Sequence, residues 1–134
     1  MFKTILFPID RSRESREAAE FVVNLVKTCQ SRLILLSVLE EAKSDTATEG
    51  MDSEEAVTEL LTSARAMFAE QQVDAEIIER RGKPSFVICD VADEVEASLI
   101  VMGCRGLGLM EDAQSESVSH RVIDFSPCPV LVVP

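Results

Sequence analysis

The apolar stretch Leu99-Ile100-Val101-Met102 runs directly into Gly103-Cys104-Arg105-Gly106, so a glycine turn stands where a buried strand would end. Open α/β sheets place ligands at the carboxyl ends of such strands. Gly103 and Gly106 permit tight curvature and close approach of backbone amides to an anion, as a phosphate cradle requires. Taken alone they are turn glycines, and Gly108 adds flexibility to either arrangement. Arg105 can contact phosphate from this turn or pair with Glu111 or Asp112. Ser117 stands near the start of a helical stretch, where its hydroxyl can cap the helix or join the orphan amides around a phosphate. Asp10 follows a second apolar run; its carboxylate can reach a ribose hydroxyl, a magnesium ion, or its own helix terminus through an Asx turn with Ser12 and Ser15. Against this chemistry, Glu111, Asp112 and Glu116 bring negative charge to the side of the loop where phosphate needs donors.

The remaining reactive side chains give less. His120 is the only histidine, and no serine, cysteine or acid is fixed beside it by the sequence, so a helix-face or interface role suits it better than that of a base. Cys29, Cys89, Cys104 and Cys128 are widely spaced, whereas metal sites favour close pairs; they read as structural or incidental thiols. Gly82-Lys83-Pro84 lacks the glycine pattern of a lysine-bearing phosphate loop. The 24 acidic against 13 basic residues give a formal charge of -11, which opposes binding to nucleic acid or an anionic membrane. The densest basic group, Lys3, Arg11, Arg13 and Arg16, is diluted by Asp10, Glu14 and Glu17.

The elements that must carry these residues alternate along the chain. With 134 residues, 46% of them apolar, one domain over residues 1–134 is expected. The opening apolar run is too short for a signal peptide and nothing approaches the roughly 20 apolar residues of a membrane helix, so a soluble cytoplasmic protein is expected. Thr4 to Ile9 and Leu33 to Val38 are continuous apolar runs, the mark of parallel strands covered on both faces. A first helix is expected over Ser15 to Cys29, with Ser12 or Ser15 as its cap and Ala18, Ala19, Val22, Val23, Leu25 and Val26 on its apolar face. Glu40 to Met51 is polar and reads as a flexible surface loop. Ser53-Glu54-Glu55-Ala56 opens a second helix reaching about Gln71, with Met67 and Phe68 assigned to the core.

Ala75 to Glu79 is a short, partly alternating strand suited to a sheet edge. Ser85 can cap a third helix ending near Val95, with Phe86, Ile88, Cys89, Ala92 and Val95 facing inward. Leu99 to Met102 is the fourth strand, Ser117 to Phe125 a short fourth helix, and Pro129 to Val133 the fifth strand. Five strands and four alternating helices joined by right-handed crossovers make a three-layer α/β sandwich. The short polar third strand and heavily apolar first and fourth predict a parallel sheet of order 3-2-1-4-5. That order reverses between strands one and four, bringing the Asp10 loop beside the Gly103 loop.

The whole chain resembles the universal stress protein family, including its UspA-like members. The likeness is carried by Ile5-Leu6-Phe7-Pro8-Ile9-Asp10, by Ile100-Val101-Met102-Gly103-Cys104-Arg105-Gly106 and by Pro127-Cys128-Pro129-Val130-Leu131-Val132-Val133. It implies an adenine nucleotide alpha hydrolase-like fold in which Pro8, Ile9, Asp10 and Val38 surround adenine and ribose and Met102 lines the crevice wall. Gly103, Arg105, Gly106, Ser117 and Val118 would follow the phosphates. The family's nucleotide-binding branch carries Gly, two residues, Gly, nine residues, then Gly-Ser or Gly-Thr; here Glu116 stands at the last glycine. A glutamate there adds bulk and like charge worth on the order of 1 to several kcal/mol in a partly desolvated crevice. The adenosine half is intact and the triphosphate half altered, which leaves ATP, ADP or AMP, with or without Mg, and no nucleotide all open.

Three function classes follow. The first is a small stress-response or regulatory protein that binds an adenine nucleotide between strands one and four without fast turnover. The second is a ligand-free interaction or scaffold protein. The resemblance implies a homodimer formed through the last strand, and Val130 to Val133, an apolar charge-free edge, independently needs cover. The third, a weak nucleotide hydrolase, would need a positioned water and charge stabilisation that only Asp10 and His120 could begin to supply.

Overall fold

The computed structural model describes residues 2–10, 13–39, 54–103 and 118–134, the side chains of 13, 14 and 119 aside. The expected loop Glu40 to Met51, the candidate cap Ser12, Ser53 at the opening of the expected second helix, and the turn from Cys104 to Ser117 lie outside these residues.

Among the described residues, nine elements follow in strict alternation: β1 (Thr4–Pro8), α1 (Arg13–Cys29), β2 (Arg32–Leu39), α2 (Glu54–Glu70), β3 (Ala75–Arg81), α3 (Pro84–Glu94), β4 (Leu99–Gly103), α4 (Val118–Phe125) and β5 (Val130–Val133). The strands form one parallel sheet in the order β3-β2-β1-β4-β5, as the sequence predicts. Alternate residues of each central strand feed two separate cores. Ile5, Phe7, Leu33, Leu35 and Val101 pack under Ala18, Val22 and Val26 of α1 and Leu61 and Phe68 of α2. Leu6, Ile34, Leu36, Ile100 and Met102 pack under Ile88, Val91 and Ala92 of α3 and Val122 of α4. Burial on both faces explains why β1, β2 and β4 lack polar alternation.

The edges differ. β3 extends two residues past the expected Glu79, because Arg80 and Arg81 stay in register with Val38 and Leu39. It is rich in charge: Glu76 accepts two hydrogen bonds from the Arg32 guanidinium (2.6 and 2.9 Å), and Arg80 pairs with Glu94 at 2.8 Å. Charges of this kind blunt an edge against further pairing. The β5 edge carries only valine and leucine, all half-buried.

Several local expectations are corrected. α1 begins at Arg13, so Ser15 lies within its first turn rather than at its cap. α3 begins at Pro84 after Lys83, which makes no side-chain cap, and Ser85 is buried inside the first turn. Met67 is 37% exposed and Phe86 50% exposed, where both were expected inside. Phe86 instead meets Phe125 across the α3–α4 surface, ring centroids 6.5 Å apart.

Three helices end in one device without glycine. Gln30, Gln72 and Glu96 take φ of 54°, 64° and 56°. The following amides of Ser31, Val73 and Ala97 donate back to the carbonyls of Val26, Phe68 and Ala92 at 3.1, 2.9 and 2.9 Å. These are the six-to-one bonds of Schellman caps. Gly82 does need to be glycine: its φ is 137°, and a Cβ there would meet Val87 Cγ2 at 2.9 Å.

Candidate functional site

The central feature is where β1 separates from β4. Odd-numbered backbone groups of the β1 segment face β2: the Lys3 carbonyl accepts from Arg32 N–H (2.7 Å) and Ile9 N–H donates to Leu36 (2.8 Å). Even-numbered groups face β4. The Thr4 carbonyl accepts from Ser98 N–H (2.8 Å), and Thr4 N–H donates to Ser98 Oγ (3.0 Å). The last even position in β1 is Pro8, which has no N–H to donate. Accordingly the β1–β2 ladder runs from Thr4 to Pro8, while the β1–β4 ladder holds only Ile5↔Leu99 and Leu6↔Ile100. β4 continues regardless, pairing Met102 with Val132 and Gly103 with Val133. The sheet therefore loses its lacing at its carboxyl end, between Pro8 and Met102. A proline is tolerated in this central strand because it faces that gap.

Around the gap the expected adenosine-side residues, together with Val118 of the expected phosphate path, fall on both faces. Met102 belongs to the core beneath α3 and α4, with Val38 and Val118 partly buried against it. Ile9 belongs to the core beneath α1 and α2. Pro8 is buried and Asp10 half-buried. Gly103 is a buried strand residue, the last of β4, rather than part of the turn. Arg105, Gly106 and Ser117, with Cys104, Gly108, Glu111, Asp112 and Glu116, lie outside the described residues.

Asp10 is anchored. Ser15 Oγ donates to Asp10 Oδ1 at 2.9 Å and accepts from Asp10 N–H at 3.1 Å, which realises the Ser15 part of the expected Asx turn. The sequence offered Ser15 both as a helix cap and as the partner of Asp10, and the structure places it in the second role. Beside this pair opens a cleft of about 230 Å³ between α1 and α2, lined by Phe7, Ile9, Asp10, Ser15, Met67 and Phe68 among others. Phe7 and Phe68 meet edge to face in its floor, centroids 6.3 Å apart. Helical periodicity assigned Met67 to the core and so missed its place on this rim.

A larger groove, about 530 Å³, lies at the opposite end of the sheet, among Gln30, Arg32, Gln72, Asp74 and Glu76. Arg32 and Glu76 pair with each other there, and the groove lies away from the strand ends that favour ligands in this architecture. Burial raises the pKa of the Cys89 thiol, with Asp90 and Cys128 adding to it. Burial also raises that of Cys128, against an opposing hydrogen bond from Ser126. A raised pKa disfavours the nucleophilic thiolate at both, as suits thiols packed against the core. His120 is exposed on α4. Among the described residues no group of three or more His, Cys, Asp or Glu is arranged to hold a metal ion, and no helix is long and apolar enough to cross a membrane.

Comparison with known proteins agrees with this geometry. The profile of the Universal stress protein family matches residues 1–134. Universal stress protein Sll1654 of Synechocystis is 62% identical over 136 residues, covering 100% of this chain and 87% of that protein. Universal stress protein UspA from Lactobacillus plantarum superimposes with a TM-score of 0.82 at 25% identity, over 99% of this chain and 98% of that one. Three more distant structures share the fold with bound ligands. A universal stress protein in complex with cAMP has a TM-score of 0.79 at 22% identity, over 99% and 97% of the two chains. One from Archaeoglobus fulgidus with dAMP has 0.75 at 20%, over 99% and 98%. One from Arabidopsis thaliana with AMP has 0.74 at 22%, over 98% and 90%. The full-length profile match and the close Synechocystis relative establish that this chain belongs to the universal stress protein family.

Proposed function

We propose that this protein binds an adenine nucleotide at the carboxyl end of β1 and β4 and acts as a cytoplasmic stress-response regulator through binding rather than turnover. The observation that carries the reading is the break in the β1–β4 ladder at Pro8, with Asp10 held at its edge. Pro8, Ile9, Asp10, Val38 and Met102 would receive adenine and ribose; Gly103, Arg105, Gly106, Ser117 and Val118 would follow the phosphate path. The ligands in the three distant structures share adenine and a single phosphate. That common part favours an AMP-like ligand here, because Glu111, Asp112 and Glu116 oppose a longer phosphate chain. ADP or ATP would bind with Mg²⁺ screening these acids. The described cysteines are free thiols, in keeping with a reducing cytoplasm.

Calorimetry on nucleotide-stripped protein with AMP, ADP and ATP, with and without Mg²⁺, tests the reading. Saturable AMP binding near micromolar affinity is expected. Heat-silent titrations with every nucleotide, confirmed by equilibrium dialysis, would end it. Glu116→Gly is expected to raise ATP affinity more than AMP affinity; equal or weaker ATP binding would count against charge crowding in the phosphate half.

A ligand-free homodimeric scaffold is the second reading, favoured by the contrast between the charged β3 edge and the apolar β5 edge. Sedimentation should give a dimer that Val132→Lys converts to a folded monomer. A monomeric wild-type protein would remove this reading.

A further inference from the structure

We infer that Ser85, in the first turn of α3, reads the base of the bound nucleotide: its buried hydroxyl takes the edge of adenine remote from the sugar, which carries N1 and the 6-amino group. The inference rests on the nucleotide reading above and adds a determinant of base recognition from a helix that carries none of the residues named so far for the site.

Ser85 is 5% exposed, and its hydroxyl has no hydrogen-bond partner among the described residues. It does not serve the helix terminus, which begins after Lys83 with no side-chain cap. Residues three and four apart share a helix face, so Ser85 continues the stripe of Ile88 and Ala92. That stripe packs into the core of Leu36 and Met102, with Val38 at its margin. The helix of a parallel crossover runs back along the sheet, which sets the first turn of α3 at the carboxyl ends of the strands. The turn before it is tied to the end of β2, where Gly82 N–H donates to the Leu39 carbonyl at 3.1 Å. Along the same face of β2, Ile34 and Leu36 are fully buried but Val38 only half-buried. An open apolar surface and an unpartnered hydroxyl therefore stand together one strand over from the gap at Pro8.

A base lying on Val38, with its sugar at the β1–β4 gap, extends from β1 toward β2 and brings its remote edge to α3. That edge offers a donor, the 6-amino group, and an acceptor, N1; a serine hydroxyl pairs with either. A buried hydroxyl without a partner is unfavourable in the free protein, and a ligand that pairs with it recovers the penalty as affinity. A site that keeps a polar group for one ligand atom rejects the analogue lacking that atom. Ser37 supplies the contrast. It is equally buried, at 4%, but alternates with Leu33, Leu35 and Leu39 on the other face of β2.

The test compares AMP with purine riboside 5′-monophosphate, which lacks the 6-amino group, and 1-deaza-AMP, which lacks N1. Each is titrated into nucleotide-stripped wild type, Ser85→Ala and Ser37→Ala, and a thermal melt of each protein is recorded without ligand. Wild type is expected to prefer AMP over at least one analogue by about tenfold. Ser85→Ala should bring that ratio to within about twofold, chiefly by weakening AMP. Its ligand-free melting temperature should not fall, since no protein hydrogen bond is lost. Ser37→Ala should leave AMP affinity and the ratio within about twofold of wild type. Four results would each overturn this inference and leave the nucleotide reading standing: no preference by wild type, a ratio unchanged or all three nucleotides weakened equally in Ser85→Ala, an equal effect from Ser37→Ala, or a lower ligand-free melting temperature in Ser85→Ala. Failure of wild type to bind any of the three nucleotides would overturn both.

Discussion

β1 has two neighbours and treats them differently. Toward β2 it is laced along its whole length, Thr4 through Pro8, and Phe7 anchors that half against Phe68. Toward β4 it is laced for two residue pairs only, although β4 itself runs on to Gly103 in register with β5. The same strand is thus paired to its end on one side and unpaired beyond Leu6 on the other. The difference comes from backbone parity: the proline falls on the side facing β4, where its missing N–H ends the ladder, and an odd-numbered proline would have broken the β2 side instead.

The largest expected effect breaks the closed side. Phe68→Ala removes a fully buried ring from beneath Phe7 and should lower unfolding stability by about 3–5 kcal/mol, read from urea denaturation. A loss below about 1 kcal/mol would mean that this core is not what holds β1.

Relacing the open side should cost function rather than stability. Pro8→Ala returns an N–H facing β4; the gained ladder bond, about 1 kcal/mol, is offset by the chain entropy that proline removes from the unfolded state, about 0.4–1 kcal/mol. AMP affinity should fall about tenfold, or 1.4 kcal/mol, as the gap closes. Hydrogen exchange should show a protected amide at residue 8. An unprotected amide with unchanged affinity would show that the gap does not depend on proline.

At the amino end of the sheet, substitutions should move stability and leave ligand binding alone. Gln30→Gly, Gln72→Gly and Glu96→Gly each relieve a left-handed residue and should add ~0.5–1 kcal/mol, seen as a higher urea midpoint. Unchanged or lower midpoints would mean that the side chains at these caps contribute more than their backbone strain takes away.

The smallest effect is electrostatic. The Arg32 hydrogen bond lowers the pKa of Glu76, with burial opposing it and the Arg32 charge adding to it, so the folded carboxyl binds its proton less readily than the unfolded one. Its contribution is present above the unfolded pKa, about 4.3, and is lost as pH falls through the lower folded value; stability therefore rises with pH across that window. Because both side chains are more than half exposed, salt should screen the effect. Glu76→Gln should flatten the acid limb of the urea midpoint against pH in low salt, and an unchanged limb would mean that the pair is energetically silent.

Much of this was legible in the residues. Continuous apolar runs marked β1, β2 and β4 as doubly covered, and the charges of β3 placed it at an edge. The expected strand order then followed, and with it the juxtaposition of the Asp10 and Gly103 ends. What escaped depended on facts that periodicity does not carry. Pro8 could be assigned to a site by resemblance, but its effect on one ladder alone required knowing which parity faces β4. Ser15 fitted a cap equally well until α1 was seen to begin at Arg13. Met67 and Phe86 lie on helices whose apolar stripes suit a core, yet nothing in those stripes says where the covering layer stops.

The central claim is that the unlaced end of β1 and β4 is the ligand site. Titrating AMP into uniformly ¹⁵N-labelled, nucleotide-stripped protein tests it most directly. The account predicts saturable amide shifts at Ile9, Asp10, Val38 and Gly103, with Ser31, Arg32 and Ala75 at the opposite end unmoved. Shifts confined to that opposite end, or none at millimolar AMP, would contradict it.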